Sequence, residues 1–228
     1  MQKQIVIVGL NHRSAPIEVR ESVAFENVYV REALVHLHDY PSIAEGVIVS
    51  TCNRVEVIAA AGDARSALDD INGFLAQQKA QRHAEPLDDH VYIYEGPEAV
   101  RHLFRVAASL DSMVIGEPQI LGQLKQYYDA AQQAGTVGAI LHRLFHRSFA
   151  VAKRVRSETG IGSGAVSVSS IAVDLAKRIF DRFDDKTVML IGAGKIGDLM
   201  ARHLQSHGVK NLMVTNRTFE RAVSLAEK

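Results

Sequence analysis

The stretch Thr187-Val-Met-Leu-Ile191-Gly192-Ala193-Gly194-Lys195-Ile196-Gly197 decides the fold of the carboxy-terminal part of the chain. Five apolar or β-branched residues in a row read as a buried strand, and three glycines at GxGxxG spacing follow at once. Helix-forming residues continue to His207, and Asn211-Leu-Met-Val-Thr215 is a second strand. Strand, glycine turn, helix and strand make a βαβ unit of the dinucleotide-binding kind. Gly192 serves the tight turn, Gly194 admits a pyrophosphate to the backbone, and Gly197 lets helix and strand approach. The N–H groups of Lys195 and Ile196 open the helix where phosphates bind. A glycine-rich turn without a ligand is the plainer alternative. At the end of the second strand, where an NAD site carries an acid, the chain has Asn216-Arg217-Thr218. A guanidinium beside hydroxyls suits a 2′-phosphate, so the expected cofactor is NADPH. A doubly wound domain needs about six strands, and two are readable here, so the chain is expected to be a fragment of a longer protein.

Upstream, the pattern changes. Ile5–Leu10 reads as a buried strand, Asn27–Asp39 as a helix with Ala33, Leu34 and Leu37 on one face, and Gly46–Ser50 as a second strand. Arg54–Ile58 alternates as a third strand, Ala64–Gln81 is a helix, and His90–Tyr94 is a fourth strand. The succession β-α-β-β-α-β is the ferredoxin-like one. Helices follow from Pro97, over Glu117–Ala134 with Gly135 as its stop, over Ala139–Ser157, and from Val166 to Arg182. The expected fold class is α/β: a ferredoxin-like α+β domain with added helices, one of them a long connecting helix, then the start of a Rossmann domain. The expected domains are residues 1–158, which bind substrate and carry the chemistry, and residues 159–228, which begin the NADP-binding domain.

Lys plus Arg and Asp plus Glu are both 26, and hydrophobic residues make up 47% of the 228. That composition supports a packed core and gives no net field to recruit nucleic acid, so a polyanion would have to meet a local basic patch. Such a patch exists. Between Asp129 and Glu158 there is no acid, while Arg143, Arg147, Lys153, Arg154 and Arg156 accumulate. A solvated helix face is the alternative reading. The first apolar run, Ile5–Val8, is too short for a signal peptide or a membrane span. A single cysteine fits a reducing compartment, so the expected location is cytoplasmic, with no membrane partner.

That cysteine sits in Ser50-Thr51-Cys52-Asn53-Arg54, where a buried strand turns. Free cysteine is commonly a small core residue; a lone thiol before an NADPH fold is also a candidate nucleophile for thioester reduction. The pairs His142/His146 and His203/His207 have i, i+4 spacing but lack a third ligand, and read as helix-face histidines, with no metal and no flavin expected.

Several stretches together resemble the glutamyl-tRNA reductase family: Gly9-Leu-Asn-His-Arg-Ser-Ala-Pro16, Ser50–Arg54, Leu110-Asp-Ser-Met-Val-Ile-Gly-Glu-Pro-Gln-Ile-Leu-Gly-Gln123, Ala152–Arg156 and Gly164–Ser169. The resemblance spans essentially the whole chain. It implies NADPH-dependent reduction of glutamyl-tRNA(Glu) to glutamate-1-semialdehyde, the first step of the five-carbon route to tetrapyrroles. It makes Cys52 the nucleophile and places His102 near it. Thr51, Arg54, Ser112, Glu117, Pro118, Gln119 and Gln123 match substrate positions, with Asn53 in the same turn. It further implies charged tRNA(Glu) as partner, a homodimer of the full-length protein, and hand-over of product to glutamate-1-semialdehyde aminotransferase. His102 lies away from the centre of the Val100, Leu103, Phe104, Ala107 stripe, so it is expected outside the core. The rival readings are an NADPH-dependent acyl-thioester reductase, which usually has its cysteine after the nucleotide domain, and a non-catalytic tRNA-binding module, which would not need Cys52 and Arg54.

Overall fold

A computed structural model of the chain describes residues 3–26, 28–80, 87, 89–162 and 168–227. It divides into two compact units, residues 1–163 and 164–228.

The first unit runs β1 (Gln4–Asn11), α1 (Ile17–Ser22), α2 (Val30–His38), β2 (Ile43–Ser50), β3 (Arg54–Ala61), α3 (Ala64–Ala80), β4 (Tyr92–Glu95), α4 (Gly96–Ala107), α5 (Gln119–Gln133) and α6 (Ala139–Glu158), then a 3₁₀ turn at Gly160–Gly162. The sheet order is β2-β3-β1-β4, with every pairing antiparallel. The expected strand succession is present with one helix added. That helix, α1, is six residues long with only Val19 and Ser22 buried, too short for a 3.6-residue stripe to register.

Boundaries move where a local signal was overrun. Helix α2 starts at Val30 rather than at Asn27, which lies outside the described residues, as does Gln81 beyond α3. Strand β4 is shifted to Tyr92–Glu95 because His90 and Val91 turn back onto Leu87 O through their N–H groups. Helix α5 starts at Gln119, since Pro118 takes the cap position and Glu117 stands outside the first turn. Glu117 therefore lies just before the helix rather than in its first turn. Helix α6 extends one residue to Glu158, which pairs with Arg154. The helix expected from Val166 to Arg182 spans Val168–Ile179, and the residues just before it are outside those described.

Strand β3 is buried at all eight positions rather than half-buried. Its alternation does put Arg54, Glu56 and Ile58 on one face, but all three are buried there, and His102 of α4 reaches Glu56. Gly9 is paired with Glu56 in the ladder, and a Cβ there would lie 2.7 Å from Glu56 Cγ and 2.6 Å from the Val55 carbonyl. The glycine makes room for a carboxylate inside the sheet. The opposite face holds Gly46, where a Cβ would stand 3.0 Å from Leu37 of α2. Ile7, Leu10, Ile48 and Ile58 are fully buried, each contributing on the order of 2 kcal/mol of transfer free energy.

Helix ends are closed from a distance. Glu45 of β2 accepts from the N–H groups of Gly138, Ile140 and Leu141 at 3.1, 3.3 and 2.8 Å, capping α6. At the end of α5, Gly135 (φ 75°) donates to Gln132 O and Thr136 to Ala131 O, the paired bonds of a Schellman stop.

The second unit contains α7 (Val168–Ile179), β5 (Thr187–Ile191), α8 (Lys195–Ser206), β6 (Asn211–Thr215) and α9 (Phe219–Ala226). β5 and β6 pair in parallel, Thr187 with Asn211 through Ile191 with Thr215. Val173, Phe183, Leu204 and Val209 form its small core, while Met189, Ile191 and Met213 remain exposed on the sheet. Among the described residues, no helix is long and apolar enough to cross a membrane.

Candidate active site

The Cys52 thiol is exposed, on the tight turn joining β2 to β3. Thr51 builds that turn. Its N–H donates to Arg54 O at 2.8 Å, and its hydroxyl oxygen accepts from the N–H groups of Asn53 and Arg54 at 3.2 and 3.1 Å. Asn53 O accepts from His12 N at 2.9 Å, tying the turn to the end of β1. Arg20 of α1 donates to Cys52 O at 2.6 Å. The small-core reading of the cysteine is thereby excluded.

Arg54 is not a solvated strand-end cation. It is 2% exposed, and its Nη1 donates to Glu56 Oε1 at 2.7 Å, its Nη2 to Asp111 Oδ2 at 2.9 Å and to Asp111 O at 2.5 Å. Burial lowers its pKa, but Glu56, Tyr92 and Asp111 more than reverse this and raise it. A substrate carboxylate using this guanidinium would share it with, or displace, Asp111. Asp111 also accepts from Asn11 Nδ2 at 3.4 Å and from Arg13 Nη1 at 3.3 Å. Arg13 and Asn11 thus reach the site from the Gly9–Pro16 motif.

Glu56 is the hub. Its Oε1 accepts from Arg54, from Tyr92 Oη at 2.5 Å and from His102 Nε2 at 2.7 Å, while Oε2 is buried without a partner. Burial alone would raise its pKa; the Arg54 charge and the His102 and Tyr92 hydrogen bonds outweigh it and hold the carboxyl at about 2. An ionised carboxylate only accepts, so His102 carries its proton on Nε2. Burial and the Glu56 charge push the Tyr92 hydroxyl well above its ordinary value.

His102 corrects the expectation that it lies outside the core. It is 6% exposed and stacks on Tyr94 with ring centroids 4.4 Å apart. The buried face of α4 is Ala99, His102, Leu103, Val106 and Ala107. The stripe read from Val100 and Phe104 was rotated by one position, because both are only half-buried. His102 contacts Glu56, Tyr92 and Tyr94.

The segment after α4 distributes its residues. Ser112 is buried, Glu117 and Gln123 are half-buried, and Pro118 and Gln119 are exposed. Gln119, Gln123 and Tyr127 succeed one another at i+4 on α5 and share a face. Burial raises the Tyr127 pKa first and the nearby Cys52 charge second, opposed by its bond to the Ser50 backbone. Sequence reading passed over Tyr127, although its spacing from Gln123 pointed to it. It also passed over Glu56 and Asp111, which look like solvated residues until the fold covers them.

The basic stretch divides. Arg143, Arg147 and Lys153 are exposed along α6, and Arg154 pairs with Glu158 at 3.0 Å. Arg156 turns inward. Of the histidine pairs, His142 Nδ1 meets Tyr128 Oη at 2.6 Å, and His207 Nδ1 bonds the His203 carbonyl at 2.7 Å.

In the second unit, Gly192 has φ 112°, which an L side chain rarely adopts, and Gly194 is the cap of α8 with open space where a Cβ would be. A Cβ on Gly197 would lie 2.3 Å from Gly192 O. The three glycines therefore serve conformation, access and packing respectively, and the open N-terminus of α8 at Lys195 and Ile196 fits a pyrophosphate. Asn216 is occupied in building the loop: its Oδ1 accepts from Ala193 N at 3.2 Å and its Nδ2 donates to Thr218 O at 2.8 Å. Thr218 stands at the N-cap position of α9 without a side-chain cap bond, and Arg217 is exposed.

Residues 8–159 match the family described as Glutamyl-tRNAGlu reductase, N-terminal domain, and residues 174–228 match the one described as Shikimate / quinate 5-dehydrogenase. A glutamyl-tRNA reductase of Desulfatibacillum aliphaticivorans is 51% identical over 224 residues, covering 98% of this chain and 51% of that protein. One from Geotalea daltonii is 53% identical, also over 98% of this chain and 51% of that protein. The solved glutamyl-tRNA reductase from Methanopyrus kandleri matches with a TM-score of 0.63 at 40% identity, over 98% of this chain and 52% of that one. The chain spans about half the length of the curated relatives it matches.

Proposed function

The chain belongs to the glutamyl-tRNA reductase family, and on that premise we propose that the whole protein reduces glutamyl-tRNA(Glu) to glutamate-1-semialdehyde and frees the tRNA, with Cys52 as nucleophile. The observation that carries this is the exposed thiol on a hydrogen-bonded turn, two residues from a guanidinium buried among carboxylates.

The Cys52 thiolate attacks the carbonyl carbon of the aminoacyl ester. A C–S bond forms, the C–O bond to the terminal ribose breaks, and the departing ribose oxygen takes a proton. The glutamyl group then rests on Cys52 as a thioester, a better hydride acceptor than the ester. Gly192–Gly197, with Arg217 toward the 2′-phosphate, would hold NADPH, whose chemistry would be to supply the hydride that releases the aldehyde and returns Cys52 as a thiolate. Arg54 and Asn11, braced by Asp111, offer donors for the glutamyl group, with Thr51 and Asn53 shaping the turn around it. Ser112 and the α5 face of Gln119, Gln123 and Tyr127 complete the substrate side. His102, held by Glu56, orients rather than activates. The ferredoxin-like unit is the catalytic domain and the βαβ unit begins the NADP-binding domain, whose exposed sheet face calls for the further cover usual on parallel strands. Arg143, Arg147 and Lys153 meet tRNA phosphates. Family membership extends the proposal to a cytoplasmic homodimer that passes its product to the aminotransferase.

The test uses the whole protein with charged tRNA(Glu). With NADPH withheld, wild type is expected to form a thioester on Cys52 that drains by hydrolysis, and with NADPH to give semialdehyde. Cys52→Ser should lose turnover by about a thousandfold or more. Undiminished reductase activity in that variant would sink the assignment.

A further inference from the structure

Arg156, at the end of α6, is half-buried, with its guanidinium turned onto the loop after α4. Its Nη2 donates to Ser109 Oγ and to Gly116 O, both at 3.3 Å, and to Glu117 O, while its Nε is buried without a partner. All three acceptors belong to the loop joining α4 to α5. That loop is bent hard at two points, Ser109 at φ 60° and Gly116 at φ 86°. Left-handed backbone at a serine costs on the order of 1 kcal/mol and persists only where surroundings hold it. Here Gly116 N donates to Ser109 O at 3.0 Å, Ser109 Oγ donates to Glu117 O at 2.5 Å, and Arg156 bonds both ends of the closure. From the 3₁₀ turn, Ile161 O packs so closely on Gly116 that a Cβ would stand 2.4 Å from it. Between the two bends lies Asp111, whose carboxylate and carbonyl both receive Arg54.

We propose that Arg156 is a positioning residue: by clamping loop 109–117 it sets Asp111, and through Asp111 the Arg54 guanidinium beside the Cys52 turn. This rests on the reductase reading for its consequence in turnover, though not for the clamp itself. The alternative for an arginine in this basic stretch is contact with the tRNA backbone, which predicts different behaviour. A backbone contact weakens binding of any tRNA and adds to the salt dependence, without touching chemistry at saturation. A clamp leaves tRNA binding alone and slows the step that needs Arg54 in place.

The experiment takes the full-length protein as wild type, Arg156→Ala and Arg156→Lys. Three quantities are read: hydrogen exchange of the Gly116 and Glu117 amides, the Kd for uncharged tRNA(Glu), and the rate of thioester formation at saturating charged tRNA. Arg156→Ala is expected to speed exchange and slow thioester formation by tenfold or more each, with the Kd within twofold. Arg156→Lys, which keeps a cationic donor, recovers part of both and serves if the alanine variant does not fold. Unchanged exchange in the loop overturns the clamp. Weakened tRNA binding with unchanged thioester rate at saturation would make Arg156 a tRNA contact instead. If wild type forms no thioester at all, the reductase reading falls, while the exchange measurement still decides whether Arg156 holds the loop.

Discussion

Replacing Glu56 with glutamine tests the buried network at its hub. Glutamine keeps the shape, can leave its Oε1 on Arg54, Tyr92 and His102, and puts its NH₂ where Oε2 has no partner. Only the charge goes. In the folded chain the carboxyl is held at about 2 against an ordinary 4.5. At 1.36 kcal/mol per pH unit this corresponds to about 3 kcal/mol of stability at neutral pH. The folded value is the lower one, so the contribution is fully present above 4.5 and fades as pH falls from there toward 2. At pH 3 roughly 1 kcal/mol remains by the same linkage. A buried ion pair exchanged whole for apolar residues can cost nothing, but here Arg54 stays buried with one of its two carboxylates gone, and the loss dominates. Urea denaturation at pH 7 and pH 3 should therefore find Glu56→Gln less stable by about 3 kcal/mol at pH 7, with the gap narrowing by about 2 kcal/mol at pH 3. A gap independent of pH, or absent at pH 7, would refute the reasoning.

Gly138→Ala would press a Cβ to 2.6 Å from Glu45 Oε1, disturbing the carboxylate that caps α6. The expected loss is about 1–2 kcal/mol, seen as a lower Tm, with Glu45→Ala costing a similar amount by removing the same cap. Gly197→Ala would set a Cβ 2.3 Å from the Gly192 carbonyl, which is backbone and cannot swing aside. In the full-length protein NADPH affinity should fall tenfold or more by fluorescence titration, with urea stability of the first unit unmoved; tight binding by the variant would contradict the loop geometry.

The strands of the first unit and the glycine turn of the second were legible because each is a local signal: a short β-branched run, an alternation, a glycine at fixed offset. Three failures share a cause. Helix α1 is shorter than the period that would reveal it. His102 was assigned outward because Val100 and Phe104, apolar but half-buried, pulled the inferred stripe around the helix. Arg156 was counted with its exposed neighbours, and nothing in a run of arginines says which one turns inward.

The sequence by itself determined the strands and the longer helices, their order, the single thiol and the glycine turn, since these depend on residues near one another in the chain. Only the tertiary structure decided what surrounds the thiol. Arg54 and Asp111 are 57 residues apart, and Glu56 and His102 are 46 apart. Whether a carboxylate is solvated or is the buried hub of a site depends on which helix covers that face of the sheet. Pairings over such distances are made by packing and leave no periodic trace in the chain. The Cys52 turn is written in five consecutive letters, but the charges that brace it come together only when β1, β3, α4 and the loop after α4 meet.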